Sequence, residues 1–240
     1  MRRTFRSQSC PHRKLMSPPG AGDIKARVLP FLDEVDEFAQ RVGSVNTVVR
    51  RGNKLVGYNT DADGFREAIV AGVAASGVSV RTAVVYGYGG VTNVVVHVLK
   101  ELGYAVALTG RRLDEATRRA DELGATVFKP GDSSEFQLLV NAAPVTDKPL
   151  AQAAGLLEAL ACVQQGDGCV FDHEMPGAEL ELYCLKHSLH HINGKAMYYP
   201  QMYRQVSQSH LICAKPCHVA DALVSNSGHS ALRSTRVVLV

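Results

Sequence analysis

The chain has 240 residues, enough for one large domain or two small ones, and its hydrophobic content of 46% is ordinary for a globular protein. The formal net charge of +3, from 26 Lys and Arg against 23 Asp and Glu, gives no electrostatic argument for binding nucleic acid or an anionic membrane. No apolar run approaches the roughly 18 residues that indicate a membrane span. These features predict a soluble protein that binds neither nucleic acid nor membranes.

The N-terminal segment and the cysteines bear on the compartment. Residues 1–14 are rich in Arg, contain Ser and have no acidic side chain, as organelle transit peptides do, although a misassigned start codon would give the same pattern. The six cysteines are scattered, and none forms the two CxxC pairs that indicate a zinc site. We therefore predict reduced thiols and no metal. The close spacing of Cys213, Cys217 and His218 leaves a metal-binding alternative open.

A linker-like segment, residues 17–22, precedes a region with helical spacing of apolar residues. That spacing predicts a helix over residues 25–40, in which Pro30 is tolerated only in the first turn. The apolar positions concerned are Val28, Leu29, Leu32, Val35 and Phe38.

The next segment predicts a β-hairpin. Two mainly apolar runs that contain β-branched residues, 45–49 and 55–58, flank a turn that contains Gly52 and Asn53. The polar residues that follow could cap a helix beginning near Phe65. Asn46 and Asp61 would then lie at opposite ends of one hairpin, where a small polyhydroxy ligand could contact both. Equally, the amide could satisfy a backbone group and the carboxylate could cap the helix.

From Arg81 onwards, short apolar runs alternate with amphipathic segments. Residues 82–86 predict a buried strand, 87–90 a turn and 91–102 a helix. The alternation continues with strands at 105–109, 125–128, 136–142 and 168–171 and with helices at 113–123, 149–161 and 177–187. This pattern predicts an α/β fold with a Rossmann-like, doubly wound parallel sheet.

The turn after the first strand of this alternation reads Gly87-Tyr-Gly89-Gly90. Glycines there let the backbone approach a pyrophosphate closely, and the following helix N-terminus supplies N–H groups and positive potential. Arg111 and Arg112 follow the second strand, and no acidic residue occurs at that strand end before Asp114. The arginines favour NADP over NAD, because cationic groups bind the 2′-phosphate. The alternative for the arginines is an ordinary solvated surface.

Four segments together resemble the shikimate dehydrogenase family. They are GSVNTVV followed by GYNTDADGF at residues 43–65, the glycine-rich turn, the strand ending in Asn141-Ala-Ala-Pro, and the Gly-x-x-Met-x-x-x-Gln pattern at residues 194–201. The family's usual Asn-Arg-Thr motif is partly retained: Gly110 and Arg112 replace Asn and Thr, and Arg111 is kept. The resemblance covers about residues 25–205.

The resemblance implies roles for individual residues. The catalytic residues would be Lys25 and Asp61, which pair with each other, and the substrate-binding residues Asn46, Thr60 and Gln201. The cofactor-binding residues would be Gly87, Gly89, Gly90, Arg111, Arg112, Asn141 and Gly194. No Tyr aligns where the family usually has one after the 168–171 strand; His173 is a conceivable substitute, although we expect it to be a partly buried structural histidine.

The resemblance also implies a domain organisation. Residues 1–78 would form a truncated α/β substrate-binding domain, 79–193 the NADP-binding Rossmann domain, and 194–240 a helix returning to the first domain followed by a divergent tail. The residues before Lys25 do not fit the family, and its N-terminal Ser-x-Ser clamp is absent. We expect Pro200 to weaken or delay the start of the return helix.

The function implied is that of an NADP-dependent shikimate dehydrogenase, which reversibly reduces 3-dehydroshikimate to shikimate in aromatic amino-acid biosynthesis. The alternatives are a quinate/shikimate dehydrogenase with relaxed cofactor use and a catalytically impaired protein that acts as a ligand-binding regulator. We expect a monomer or homodimer in the cytoplasm, with a plastid or other organelle left open.

Overall fold

The computed structural model describes residues 21–144, 150, 153–165, 168–174, 178–208 and 237–239. The first part of the chain comprises α1 (Ala21–Arg27), a 3-10 turn (Leu29–Phe31), β1 (Glu34–Val35), α2 (Glu37–Val42), β2 (Thr47–Arg51), β3 (Lys54–Tyr58) and α3 (Asp61–Ser76). The second comprises β4 (Thr82–Tyr86), α4 (Gly90–Glu101), β5 (Ala105–Thr109), α5 (Leu113–Leu123), β6 (Thr126–Val127), β7 (Leu138–Asn141), α6 (Ala154–Gln165), β8 (Cys169–Asp172), α7 (Ala178–Lys186) and β9 (His190–Asn193). Two elements follow, α8 (Lys195–Gln208) and β10 (Val237–Leu239).

A small sheet with the order β1-β3-β2-β10 contains the predicted hairpin, which is confirmed. β2 and β3 pair antiparallel with Arg51 opposite Lys54, so that Gly52 and Asn53 form a two-residue turn. Gly52 has a φ of 61°, a left-handed conformation that glycine adopts without steric cost. The turn chemistry therefore sets the register of the strands that lead to the site.

Strand β10 forms one edge of the small sheet. It pairs antiparallel with β2, with Val238 opposite Val48. The sequence predicts no structure for this segment, because three residues carry too little periodicity and their partner lies in a distant part of the chain.

The predicted continuous helix over residues 25–40 is wrong. α1 ends early, the 3-10 turn contains Pro30, and β1 pairs parallel with β3 before α2 begins. Asp36 starts α2, because its carboxylate accepts hydrogen bonds from the backbone N–H groups of Phe38 and Ala39 at 2.8 and 3.2 Å. Most of the apolar residues that suggested one helix pack from separate short elements against the same small core.

Helix α3 also begins earlier than predicted, at Asp61 rather than near Phe65. The side-chain oxygen of Asn59 accepts a hydrogen bond from the backbone N–H of Ala62 at 3.4 Å, which helps the helix to start before the apolar run. Asp61 thus lies in the first helical turn, where the helix dipole favours a carboxylate.

The large sheet has the order β6-β5-β4-β7-β8-β9, and every neighbouring pair is parallel. This confirms the predicted α/β class with a doubly wound parallel sheet. Alternate side chains of β4 enter two different cores, Ala83 and Val85 with residues of α3 and α4, and Val84 with residues of α6. Burial on both faces explains why the strands have near-continuous apolar sequences.

Helix α8 begins at the edge strand of the large sheet and packs against α3. It begins at Lys195, just after β9, so the predicted delay of its start by Pro200 is wrong. The Gly194 carbonyl accepts hydrogen bonds from the N–H groups of Met197 and Tyr198 at 3.0 and 3.1 Å. The two helices pack closely at Gly64, where a Cβ atom would lie 2.5 Å from the Met197 carbonyl oxygen.

Three of the six cysteines lie in the described part of the chain, and all three are buried free thiols as predicted; they are Cys162, Cys169 and Cys184. Burial raises the pKa of Cys169 to about 11 and that of Cys184 to about 12, so these thiols stay protonated at neutral pH. No described helix is long and apolar enough to cross a membrane. The suggested transit peptide and the Cys213, Cys217 and His218 cluster lie outside the described residues.

Candidate active site

A cavity of about 530 Å³ lies at the carboxyl ends of β7 and β8, beside the N-terminus of α4. In open α/β sheets this is the edge at which ligands bind. Both parts of the chain line it: Lys25, Ser44 and Asp61 from the first, and Gly90, Val91, Val94, Ala142, Ala143, Pro144, His173 and Glu174 from the second. We therefore take this cavity as the candidate active site.

Lys25 and Asp61, the two predicted catalytic residues, form an ion pair at the cavity wall. The Nζ atom of Lys25 lies 2.8 Å from Oδ2 of Asp61, and the two side chains are 29% and 7% exposed. Burial of the carboxylate strengthens the pair relative to one at the open surface. An ammonium group has three N–H donors, so Lys25 keeps donors for a ligand while Asp61 holds its position.

Asn46 and Thr60 join the same network as positioning groups. The Asn46 amide nitrogen donates to Oδ1 of Asp61 at 2.7 Å and to the Thr60 hydroxyl at 3.1 Å. Its carbonyl oxygen accepts from the Thr60 backbone N–H and from the Thr47 hydroxyl, each at 2.9 Å. Both amide protons and the carbonyl are thus used inside the protein, and neither residue is among those that line the cavity. Their predicted contact with substrate stays a prediction.

Gln201 lies on α8, where its Cβ and backbone nitrogen pack against Gly64, one turn along α3 from Asp61. It is not among the residues that line the cavity. Gly194 caps the start of α8 through its carbonyl. Its assignment to the cofactor, like the assignment of Gln201 to the substrate, stays a prediction.

Asn141 ends β7, and its side chain is engaged within the protein. The amide nitrogen donates to Oδ1 of the buried Asp172 at 2.9 Å, and the carbonyl oxygen accepts from the backbone N–H of Ala143 at 3.2 Å. This arrangement positions the segment that lines the cavity. Burial raises the pKa of Asp172 above its ordinary value, while the hydrogen bond from Asn141 opposes that shift.

The glycine-rich turn connects β4 to α4. Gly87 has a φ of 127°, and a Cβ atom there would lie 2.9 Å from the Ala142 carbonyl oxygen, so both conformation and space require glycine. Gly89 is the N-cap of α4 and has open space where a side chain would be. Gly90 begins the helix and lines the cavity. An exposed helix N-terminus reached without side-chain obstruction is the usual cradle for a pyrophosphate.

Arg111 and Arg112 follow β5 and are both exposed, near this turn. The Arg112 guanidinium carbon lies 5.6 Å from the centre of the Tyr88 ring, and its Nε donates to the Tyr88 hydroxyl at 3.4 Å. The ring itself lies against Gly110, where a Cβ atom would be 2.8 Å from it. The position of the Tyr88 ring therefore requires glycine at residue 110. The sequence does not show this contact, because the two residues belong to different loops.

Three further residues line the cavity. Sequence reasoning gave no role to Ser44 or Glu174 and treated His173 chiefly as a structural histidine. Burial lowers the pKa of His173 below its ordinary value, the carboxylate of Asp61 opposes the shift, and Lys25 adds to it. The histidine is thus close to the ion pair rather than part of the structural core alone. Within the described residues, no group of three or more His, Cys, Asp or Glu side chains could hold a metal ion.

The fold and the site define a class, that of α/β proteins with a Rossmann-like sheet, a glycine-rich turn at a helix N-terminus and a second, smaller sheet. An ion pair between helices α1 and α3 lies at the cleft. No protein-family model matches the chain.

Individual relatives do match. The chain is 39% identical over 123 residues to a shikimate dehydrogenase (NADP(+)) of Thermus thermophilus, and the match covers 51% of this chain and 45% of that protein. It is 30% identical over 139 residues to shikimate dehydrogenase (NADP(+)) of Geobacillus kaustophilus, with 55% and 50% covered. The chain thus spans about half the length of the curated relatives it matches.

Solved structures agree in fold. The crystal structure of shikimate 5-dehydrogenase from Thermus thermophilus in complex with NADP(H) and shikimate matches with a TM-score of 0.66 and 28% identity, over 83% of this chain and 74% of that one. The shikimate dehydrogenase of Aquifex aeolicus matches in fold with a TM-score of 0.70 at 24% identity, over 85% and 74%. The predicted resemblance to shikimate dehydrogenases is confirmed.

Proposed function

We propose that this chain is an NADP-dependent oxidoreductase that interconverts shikimate and 3-dehydroshikimate, the step that serves aromatic amino-acid biosynthesis. One observation carries the proposal: the Lys25–Asp61 ion pair lines the same cavity as Gly90, the first residue of the helix at the glycine-rich turn. The candidate proton-handling group and the candidate dinucleotide cradle thus line one cavity. The similarity to shikimate dehydrogenases, over about half of their length, supports the same interpretation.

The residues present fit a dinucleotide phosphate. The open space at Gly89 and the left-handed Gly87 would admit the pyrophosphate to the N-terminus of α4, and Arg111 and Arg112 would meet a 2′-phosphate. When bound, NADP(H) would accept or supply the hydride. The aliphatic side chains of Val91 and Val94 line the cavity beside this cradle and would help to exclude water from the reacting atoms.

Lys25 would handle the proton. In the reducing direction a ketone oxygen becomes an alkoxide, and the Lys25 ammonium would donate a hydrogen bond and then a proton to it. Asp61 holds the ammonium in position and is itself held by Asn46. In the oxidising direction the same side chain would take the hydroxyl proton back.

Replacing Lys25 by Ala tests this role. We expect shikimate oxidation with NADP to fall by roughly 10² to 10⁴-fold, as for other general acid-base groups, while NADP(H) affinity is unchanged. Lys54→Ala is the matched control, because Lys54 also forms an ion pair but lies in the hairpin and does not line the cavity. Equal product formation by both variants would contradict the assignment. Shikimate and NADP binding without any turnover in the wild type would instead indicate a ligand-binding regulator.

A further inference from the structure

Tyr88 is the one residue of the glycine-rich turn that carries a side chain. Its half-buried ring packs on Gly110 after β5, where a Cβ atom would lie 2.8 and 2.9 Å from the ring carbons Cε1 and Cδ1. The backbone joins the same two places, because the Gly87 N–H donates to the Thr109 carbonyl oxygen at 2.9 Å. The ring is therefore held between the turn that would bind a pyrophosphate and the loop that carries the two arginines.

The Tyr88 hydroxyl keeps an unused donor. Its oxygen accepts a hydrogen bond from Nε of Arg112 at 3.4 Å, and the guanidinium carbon lies 5.6 Å from the centre of the ring. A guanidinium has no acceptor, so the phenol hydrogen must point towards a different group. Among the described residues, none accepts a hydrogen bond from it. An O–H donor is thus available beside a cation, where a ligand oxygen could accept it.

The charges around this hydroxyl favour an anionic ligand. Glu115 lies 3.5 Å from the Arg112 guanidinium but also pairs with Arg118 at 2.8 Å, and Asp114 acts on the same guanidinium. Arg111 is exposed and forms no ion pair within the described part of the chain. Its charge is therefore uncompensated, and a phosphate monoester would supply both negative charge and several acceptor oxygens.

We propose that Tyr88 is a cofactor-binding residue that contributes to specificity, because its hydroxyl donates a hydrogen bond to the 2′-phosphate of NADP(H) beside Arg111 and Arg112. The inference rests on the proposed function, since it requires a dinucleotide phosphate at this turn. NAD(H) has a neutral hydroxyl at the same position, which accepts a weaker hydrogen bond. Gly110 belongs to the arrangement, because a side chain there would displace the ring that carries the donor.

Replacing Tyr88 by Phe removes the hydroxyl alone, because phenylalanine keeps the ring that packs on Gly110. Fluorescence titration should show NADPH affinity falling about tenfold, the lower end for a hydrogen bond to a charged group, since the site is exposed to solvent. NADH affinity should fall much less. Adenosine 2′,5′-bisphosphate carries the 2′-phosphate without the nicotinamide, and its affinity, measured by calorimetry, should fall by the same factor as that of NADPH.

Tyr104→Phe is the matched control. Tyr104 is also half-buried, but it lies just before β5, at the opposite end of that strand from the two arginines. Its replacement should leave the affinities for NADPH, NADH and the bisphosphate unchanged.

Three results would each overturn the inference. They are an unchanged or higher NADPH affinity in Tyr88→Phe, equal losses for NADPH and NADH, and equal affinities of the wild type for the two cofactors. Turnover is scored separately, so that the two proposals can fail independently. NADPH binding that depends on the Tyr88 hydroxyl, without any shikimate oxidation, would contradict the proposed reaction and leave the inference standing. Shikimate oxidation with NADP, together with unchanged NADPH affinity in Tyr88→Phe, would do the reverse.

Discussion

At the scale of single residues, Asp61 organises the site because its two oxygens serve different partners. Oδ2 holds the Lys25 ammonium and Oδ1 accepts from Asn46, whose own orientation is fixed by Thr60 and Thr47. The prediction that Asn46 and Asp61 lie at opposite ends of the hairpin is wrong, because Asn46 precedes β2 and Asp61 follows β3 at the same end, and the two side chains are in direct contact. Nor does the motif predict that Asn46 uses all of its hydrogen bonds on its neighbours. That outcome depends on side-chain geometry that only the folded hairpin and α3 together produce.

His173 is a residue whose place in the site the sequence does not reveal. Its position after a buried strand favours a structural histidine, and its burial agrees with that expectation. Its nearness to the Lys25–Asp61 pair comes from packing between distant parts of the chain, and no local pattern records it. A residue that lies outside every known motif of a sequence can thus still lie in the site.

Two half-buried histidines predict how the free energy of unfolding depends on pH. Burial lowers the pKa values of His173 and His191 in the folded state, so the unfolded chain binds more protons as the pH falls below about 6.5. Their contribution is present above that pH and is lost as the pH falls through the folded-state values. We expect urea unfolding to show a lower free energy of unfolding at pH 5.5 than at pH 7.5.

Asp172 acts in the other direction. Its folded-state pKa is raised, so its contribution is present at low pH and is lost as the pH rises through that raised value. The variant His191→Gln removes one histidine and also the charge that lowers the pKa of Asp172, and both changes favour stability at low pH relative to neutral pH. It should reduce the loss of stability between pH 7.5 and 5.5. An unchanged or larger loss would contradict the assignment.

At the scale of elements, the parallel βα units were predictable and the first part of the chain was less so. Strands of the large sheet are buried on both faces, and their apolar runs stand out in the sequence. Residues 25–40 carry equally clear apolar spacing, but the cap made by Asp36 and the pairing of β1 with β3 divide them into short elements. Strand β10 depends on a partner far away in the sequence, so no local signal identifies it.

The loop after β5 predicts a preference for NADP(H). The Tyr88 ring packs on Gly110 and contacts the Arg112 guanidinium. Arg111 is the neighbour of Arg112 in the chain. Each charge-assisted contact to a 2′-phosphate contributes about 1.5 to 3 kcal/mol. Fluorescence titration should therefore show tighter binding of NADPH than of NADH. In the Arg111→Ala, Arg112→Ala double variant, the affinity for NADPH should fall more than tenfold and the affinity for NADH should not change.

Arg118→Ala is the matched control for that double variant. Arg118 is an exposed arginine of the following helix whose ion pairs are with Glu115 and Glu122. Its removal should leave the ratio of NADPH to NADH affinity unchanged. Equal affinities of the wild type for the two cofactors would show that the arginines are only a solvated surface.

The contact between α3 and α8 predicts a stability effect at Gly64. A Cβ there would lie 2.5 Å from a backbone oxygen of α8, which cannot move as a flexible side chain can. Gly64→Ala should therefore destabilise the fold by about 1 to 3 kcal/mol in urea unfolding, although alanine is the better helix former. Val70→Ala is the control, since Val70 is 51% exposed on the same helix and should change stability by less than about 0.5 kcal/mol. A stabilised Gly64→Ala variant would show that the two helices do not pack this closely.

At the scale of the whole molecule, two sheets face one cavity, and the chemistry we propose requires both. The alternation from β4 to β8 follows the sequence-based expectation, except that α6 begins at residue 154 rather than 149, and β9, the edge strand of the large sheet, was not predicted. The first part of the chain, with Lys25 on α1 and Asn46 just before β2, is built around a small sheet completed by β10. A misplacement of reacting atoms by about 1 Å can cost on the order of 10²-fold in rate. We therefore expect measurable NADP(H) binding together with turnover below the usual range of about 1 to 10³ s⁻¹.

Transfer of deuterium from cofactor to substrate tests the central claim most directly. The protein is incubated with 3-dehydroshikimate and NADPH that carries deuterium at the transferable position of the nicotinamide, and the product is analysed by mass spectrometry, which detects even a few turnovers. We predict shikimate that carries one deuterium at the reduced carbon, formed by the wild type and by Lys54→Ala but slowed roughly 10² to 10⁴-fold in Lys25→Ala. Saturating bound NADPH without any labelled shikimate, or labelling at equal rates with and without Lys25, would contradict the account.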